Sequence, residues 1–157
     1  GYVLFHNHLI LNALSDIFGY ETPVRRILEK EFRLRIIEEA VKADKDIIAT
    51  GVIMRDNESF YRKIIQIVEQ GEGKCLLVYL SASKEVLMNR ISNNSRTALK
   101  KINTKEKLEE WSQKYPESFT SITYNNQLTI DTSHLSPDEA AQALWKILNE
   151  KSMDNSL

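Results

Sequence analysis

Short apolar runs alternate with longer stretches in which apolar residues recur at helical spacing, and this pattern predicts the elements of the chain. Four apolar runs are typical of buried strands: residues 2–5, 46–51, 75–80 and 128–130. Helical spacing predicts six helices: residues 9–18, 23–41, 58–70, 84–90, 105–114 and 137–150. Strands that alternate with helices form parallel sheets covered on both faces. The order β-α-α-β-α-β-α-α-β-α therefore predicts an α/β fold with three layers, α/β/α.

Capping residues support two of the predicted helix starts. Thr22 precedes Pro23, and threonine is a preferred N-cap while proline is tolerated in the first helical turn. The sequence SPDE from Ser136 combines a cap, a proline and two acids near the positive end of the helix dipole. We expect a single domain at residues 1–150, because a chain of 157 residues can bury a core of its own, and a frayed tail at 151–157.

The residues that follow the predicted strands are the candidate site, because ligands of parallel sheets bind at the carboxyl ends of the strands. These residues are polar or small after each strand: His6, Asn7 and His8; Thr50, Gly51 and Val52; Ser81, Ala82 and Ser83; Asp131, Thr132 and Ser133.

Two arginines follow the third strand and suit a phosphate clamp. Arg90 ends the predicted helix, and Arg96 lies in the polar segment at about 92–103, which we expect to act as a lid. Arginine keeps its charge and grips phosphate oxygens with a planar fork, and a mobile segment can close over a phosphoryl group. The alternative is that both arginines are solvated surface charges.

Other polar groups admit more ordinary interpretations. Arg33 and Arg35 lie two apart on a helix and cannot both face one site, so a solvated helix with Glu29–Arg33 and Glu31–Arg35 pairs is the alternative to a binding role. His6 and His8 have no further histidine or cysteine nearby in sequence, so we predict no metal site and favour hydrogen bonds to a ligand, with solvated surface histidines as the alternative.

No phosphate-binding glycine loop is present in the sequence. The sequence GEGK at 71–74 lacks the spacing GxxxxGK[ST] and precedes a strand, so we interpret it as a turn.

Composition narrows the class of protein. The 21 basic and 22 acidic residues nearly cancel, which argues against long nucleic acids and acidic membranes as partners. No apolar run approaches the length of a membrane span, and the start of the chain lacks the features of a secretory signal. The lone Cys75 excludes an internal disulfide, fits a reducing compartment and is interpreted as a buried, inert thiol. We therefore expect a cytoplasmic protein.

The chain resembles small-molecule kinases of the P-loop class, in the branch of shikimate kinase and gluconate kinase. Five segments carry the resemblance, in the family's order: LFHNHLI, EKEFRLRIIEEAV, DIIATGV, LLVYLSASKEVLMNRISNNSRT and TIDTSHLSPDEAAQAL. The form FHNH is also similar to a group of kinase-like bacterial ATPases. The resemblance implies a P-loop kinase-like fold and an ATP-dependent phosphotransferase that uses Mg²⁺ and a small-molecule acceptor.

The resemblance also implies roles for individual residues. Arg90 would lie near the adenine, which Asp131, Thr132 and Ser133 would flank, and Arg96 would lie over the phosphates as a catalytic charge. The acceptor pocket would contain Arg33, with Arg35 structural, together with His6, Asn7, His8 and Gly51. His6 is the candidate base, since a neutral histidine can accept a proton from a hydroxyl.

Departures from the family pattern matter as much. The sequence His-Asn-His stands where the family has an Asp-x-Asp pair, and no counterpart of the arginine near the lid that grips the shikimate carboxylate occurs at 109–126. We therefore expect an acceptor other than shikimate.

The resemblance begins after the family's first, central strand and its P-loop, and Gly1 stands where an initiator methionine is usual. We expect an N-terminally truncated chain that binds ATP poorly and is inactive alone. The alternatives are a non-catalytic nucleotide-binding or regulatory domain and a nucleotide kinase.

Overall fold

The computed structural model describes residues 1–53, 57–93, 96, 101–116 and 122–153. Its elements follow the predicted order: β1 (Val3–Phe5), α1 (His8–Phe18), α2 (Pro23–Lys42), β2 (Ile47–Ala49), α3 (Glu58–Gln70), β3 (Leu77–Ser81), α4 (Lys84–Arg90), α5 (Lys105–Lys114), β4 (Gln127–Asp131) and α6 (Pro137–Met153). The helix α6 extends three residues past its predicted end at Glu150. Among these residues, Gly1–Cys75 form one compact unit and those from Leu76 onward form another.

The first unit is built on a parallel pair of strands. Strand β1 pairs with β2 so that Phe5 lies opposite Ala49, and the Thr50 amide continues the ladder by donating to the Phe5 carbonyl oxygen at 3.1 Å. Helices α1 and α3 both pack against α2. The apolar residues buried in this unit come from β1 and from its three helices: Phe5, Leu11, Leu14, Ile37, Phe60 and Ile65.

The second unit has the same kind of strand pair. Strands β3 and β4 are parallel and in register from Leu77 opposite Gln127 to Ser81 opposite Asp131. Its buried apolar residues lie beyond α4, on α5, before β4 and on β4: Ile91, Leu108, Ile122 and Ile130.

The strand pairs confirm the parallel pairing, whereas the expected burial of the strands is not observed. The strands belong to two separate two-stranded sheets in the described part of the chain. Val3, Leu4 and Leu80 are each more than half exposed, and Ile48 is nearly so. In a parallel sheet covered on both faces, the covering helices shield such side chains from solvent. The described elements therefore leave apolar strand surface in contact with solvent.

Local signals at the helix ends act as predicted. The Thr22 hydroxyl accepts from the Arg25 amide, and Ser136 and Glu139 form a reciprocal pair in which each backbone amide donates to the other side chain. Helix α3 ends before Gly71 and the chain turns at Gly71 and Glu72, as the interpretation of GEGK as a turn predicted. Within the described ranges, no helix is both long and apolar enough to cross a membrane.

Candidate functional site

Among the described residues of the first unit, Arg33 is the most deeply buried charge. It lies on α2 with 5% of its surface exposed. Its Nη2 donates to the carbonyl oxygen of Thr50 at 3.2 Å, and its Nη1 lies 3.5 Å from the hydroxyl oxygen of Tyr61. The guanidinium carbon lies 5.4 Å from the ring centre of Phe60 and 5.5 Å from that of Tyr61, which is the range of cation–π attraction.

The charge of Arg33 has no carboxylate beside it among the described residues. Its Nε is buried and has no hydrogen-bond partner there. Burial of a cation costs free energy unless an anion or several hydrogen bonds compensate. The arrangement is therefore suited to receive an anionic group, such as a carboxylate or a phosphate.

The alternative of a solvated, salt-bridged arginine is wrong for Arg33, which is buried. Glu29 forms its ion pair with Arg25 instead, one turn earlier on the helix. Arg35 is solvated and salt-bridged, although its partners are not the predicted Glu31. The Arg35 side chain is 66% exposed and pairs with Glu38 and Glu39. The two arginines thus point away from each other, as their spacing of two residues predicted.

The backbone of Gly51 lies in close contact with the Tyr61 side chain. A Cβ atom built on Gly51 would lie 2.1 Å from the Tyr61 hydroxyl oxygen and 2.9 Å from its Cζ. Any larger residue at position 51 therefore displaces Tyr61. The close approach of Tyr61 to the backbone requires glycine at this position.

The structure brings the residues after β1 and β2 to the same edge of their sheet. His6 directly follows β1 and is half-buried, and Thr50 and Gly51 directly follow its parallel partner. Asn7 is the N-cap of α1, although its side chain makes no capping hydrogen bond, and His8 is the first residue of that helix. No group of three His, Cys, Asp or Glu side chains in the described residues could hold a metal ion.

In the second unit, Arg90 braces the loop between β4 and α6. Its Nη1 donates to the Thr132 hydroxyl at 3.1 Å, and its Nη2 donates to the carbonyl oxygens of Thr132 at 2.6 Å and Leu135 at 3.1 Å. The two acceptors on Thr132 belong to the segment that the resemblance places beside the adenine, and Leu135 lies three residues further along the same loop. Arg90 therefore acts on this loop by fixing its backbone.

Further hydrogen bonds tie the same loop to the end of β3. The Thr132 hydroxyl donates to the carbonyl oxygen of Ser81 at 2.8 Å, and the Ser83 amide donates to the Ser133 hydroxyl at 2.9 Å. Asp131 accepts from the Ser133 amide, and hydrogen bonds from Ser133 lower the pKa of the Asp131 carboxyl. The residues after β3 and β4 thus form one connected edge.

Arg96 is the described residue at the centre of the predicted lid. Its Nε donates to the carbonyl oxygen of Ile102 at 2.7 Å, and partial burial lowers the pKa of its guanidinium. Half of the predicted lid at 92–103 lies outside the described residues, namely 94–95 and 97–100.

Cys75, at the end of the first unit, is half-buried. Burial raises the pKa of its thiol, and the Glu69 charge adds to this effect. Both influences favour the neutral thiol, which is the weaker nucleophile.

Sequence reasoning missed Tyr61 and the Thr50 carbonyl as partners of Arg33. Helical spacing predicted α3, but nothing in the local pattern connects Tyr61 of that helix to an arginine 28 positions earlier.

Comparison with known proteins decides the family. The family model described as shikimate kinase matches residues 20–149, which is most of the chain. The chain belongs to the shikimate kinase family. No curated protein matches the sequence. The predicted resemblance is confirmed at the level of the family, which implies an α/β P-loop fold and ATP-dependent phosphorylation of a small molecule.

ATP and Mg²⁺, which this family uses, fit the described residues only in part. Arg90 holds the loop at 131–135, which the resemblance places beside the adenine. For the phosphates and the metal, the sequence contains no GxxxxGK[ST] motif, and the described residues contain no set of three metal-ligating side chains. These residues therefore supply no complete site for Mg²⁺.

Proposed function

We propose that this chain is part of an ATP-dependent kinase, which phosphorylates a hydroxyl group of a small anionic molecule. The observation that carries the proposal is the family match together with the environment of Arg33, a buried arginine with no described carboxylate partner. A cation held in this way is a natural contact for a negatively charged acceptor.

The residues at the edge of the first sheet support the acceptor side of this proposal. His6 and Gly51 follow paired strands, so a molecule bound near one is within reach of the other. In the proposal, His6 accepts the proton of the acceptor hydroxyl, and Asn7 and His8 contribute hydrogen bonds to the acceptor. Because these residues replace an acidic pair, we propose an acceptor other than shikimate.

The second unit supports the nucleotide side. Arg90 holds the loop of Asp131, Thr132 and Ser133 in one conformation, and the proposal assigns this loop to the adenine. Arg96 is assigned to the transferred phosphoryl group, where a cation stabilises the charge that develops in the transition state.

The phosphate-binding backbone is proposed to come from residues outside the printed sequence. In P-loop folds, the backbone N–H groups of a glycine-rich loop and a lysine side chain bind the phosphates. We therefore expect the chain 1–157 alone to bind Mg-ATP with a dissociation constant weaker than micromolar and to show no useful turnover. Isothermal titration calorimetry of this chain with Mg-ATP measures this directly, and micromolar binding would contradict it.

The decisive experiment uses the full-length gene product. Transfer of phosphate from γ-labelled ATP is measured against a panel of hydroxylated carboxylic acids and sugar phosphates. Arg96→Ala is expected to lower kcat by about 10²- to 10³-fold. Arg35→Ala is the matched control, because Arg35 is largely exposed and pairs only along its own helix. No transfer to any acceptor would argue against the kinase.

The second candidate is a nucleotide-binding module without chemistry, which the lack of GxxxxGK[ST] in the printed sequence favours. In that case Arg96→Ala changes nucleotide affinity in an equilibrium titration and the full-length protein transfers no phosphate. The same pair of measurements therefore separates the two candidates.

A further inference from the structure

Tyr61 contacts the charge of Arg33 in two ways. Its hydroxyl oxygen lies 3.5 Å from Nη1, at the outer limit of a hydrogen bond, and its ring centre lies 5.5 Å from the guanidinium carbon. Phe60 meets Tyr61 edge to face and lies 5.4 Å from the same carbon, so two rings border the guanidinium.

These contacts constrain the direction in which the guanidinium points. The Thr50 carbonyl oxygen accepts a hydrogen bond from Nη2, and the Tyr61 hydroxyl oxygen faces Nη1. A planar group held at both terminal nitrogens has little freedom to rotate, and its remaining N–H groups keep a fixed direction.

We propose that Tyr61 is a positioning residue that orients Arg33 toward the anionic group of the acceptor. The inference rests on the proposed function, in which Arg33 binds that group. Tyr61 itself does not touch the acceptor in this proposal. It acts through Arg33, so its loss weakens recognition of the anion and leaves the phosphoryl-transfer step unchanged.

Gly51 contributes to the same positioning of Arg33, because it lies against the Tyr61 side chain. A Cβ atom at this position would occupy the place of the Tyr61 hydroxyl, at 2.1 Å. The atom that must move is the far end of a side chain, so Gly51→Ala is expected to push Tyr61 away from Arg33 without unfolding the protein. We therefore assign to Gly51 the role of seating Tyr61, in addition to its position at the edge of the acceptor pocket.

The test measures anion binding at Arg33 directly, in the chain 1–157, with inorganic phosphate as the probe. The Nε–H group of a buried arginine gives a resolved signal in ¹⁵N nuclear magnetic resonance spectra, and Arg33→Lys identifies that signal by its disappearance. We expect phosphate to shift the signal in a saturable manner. The amide spectra of every variant serve as the check that the fold is kept.

Tyr61→Phe is expected to weaken phosphate binding about 3- to 10-fold, the effect of losing one hydrogen bond of ordinary strength, because the contact at 3.5 Å is long. Gly51→Ala is expected to do the same, and the double variant to add little beyond either single change, because both act on one contact. Tyr2→Phe is the matched control, since Tyr2 is more than half exposed and lies on the same unit. Unchanged affinity in Tyr61→Phe, or no phosphate response of Arg33 in the parent chain, overturns the proposal.

Failure of this inference is distinguishable from failure of the proposed function. If the full-length protein phosphorylates an acceptor and Tyr61→Phe leaves the acceptor KM unchanged, the kinase stands and the positioning role is wrong. If Tyr61→Phe weakens phosphate binding while no acceptor is phosphorylated, the positioning role stands and the kinase is wrong. A raised acceptor KM with unchanged kcat supports both.

Discussion

The Arg90 guanidinium donates a hydrogen bond of 2.6 Å to the carbonyl oxygen of Thr132, 42 residues later in the chain. Two more bonds from the same group reach the Thr132 hydroxyl and the Leu135 carbonyl oxygen. Arg90, together with the hydrogen bonds from the end of β3, therefore holds a loop that has no regular secondary structure.

Replacement of Arg90 is expected to destabilise the protein. Arg90→Ala should lower the free energy of unfolding by about 2 kcal/mol, because hydrogen bonds from a charged group are stronger than neutral ones and several acceptors lose their donor. Arg90→Lys should recover only part of this loss, since an ammonium group cannot reproduce a planar fork. Urea denaturation measures the change.

Arg35→Ala is the control for this prediction, with an expected change below about 0.5 kcal/mol, because its ion pairs are exposed. An equal effect of the two substitutions would mean that the Arg90 contacts do not hold the loop.

The reciprocal pair at the start of α6 predicts a dependence of stability on pH. The Ser136 amide donates to the Glu139 carboxylate at 2.7 Å, and hydrogen bonds from Ser136 lower the pKa of Glu139. A carboxyl whose pKa is lower in the folded state contributes stability above its unfolded pKa and loses it as the pH falls through the folded pKa. Glu139→Gln should therefore destabilise the protein at pH 7 and much less at pH 3.

Asp138→Asn is the matched control for Glu139→Gln, because it removes the same charge at the same helix end without touching the pair with Ser136. Urea denaturation at the two pH values should reveal a larger pH-dependent difference for Glu139→Gln. Identical pH profiles of the two variants would contradict the role of the hydrogen bond.

The turn after α3 predicts a stabilising substitution. Glu72 has φ of 61°, a left-handed conformation that costs free energy for a residue with a Cβ atom. Glu72→Gly should raise the free energy of unfolding by about 0.5–1 kcal/mol, because glycine adopts this conformation without steric strain. The gain is measured by thermal or urea denaturation.

Glu72→Ala serves as the comparison, since alanine removes the carboxylate and keeps the Cβ atom. It should bring no gain. Asp44, with φ of 51°, should benefit less from glycine than Glu72 does, because aspartate tolerates this region better.

Helices and their order could be predicted from the sequence because their signals are local. Helix α3 has the predicted bounds, since its apolar spacing and the glycine that directly follows it, Gly71, are local signals. The third strand was predicted at 75–80 and lies at Leu77–Ser81, in register with Gln127–Asp131. A strand begins and ends where its partner does, and the partner is about fifty residues away in the chain.

For the candidate site too, some features could be predicted from the sequence and others only from the tertiary structure. The sequence determined by itself that polar residues follow each strand, that Arg33 and Arg35 face opposite ways, and that Arg90 ends a helix, because strand and helix geometry fix these relations. Only the tertiary structure decided that Arg33 is buried beside Tyr61 and that Arg90 holds Thr132. Each of those contacts joins residues far apart in sequence, and local propensity carries no information about which distant groups the packing brings together.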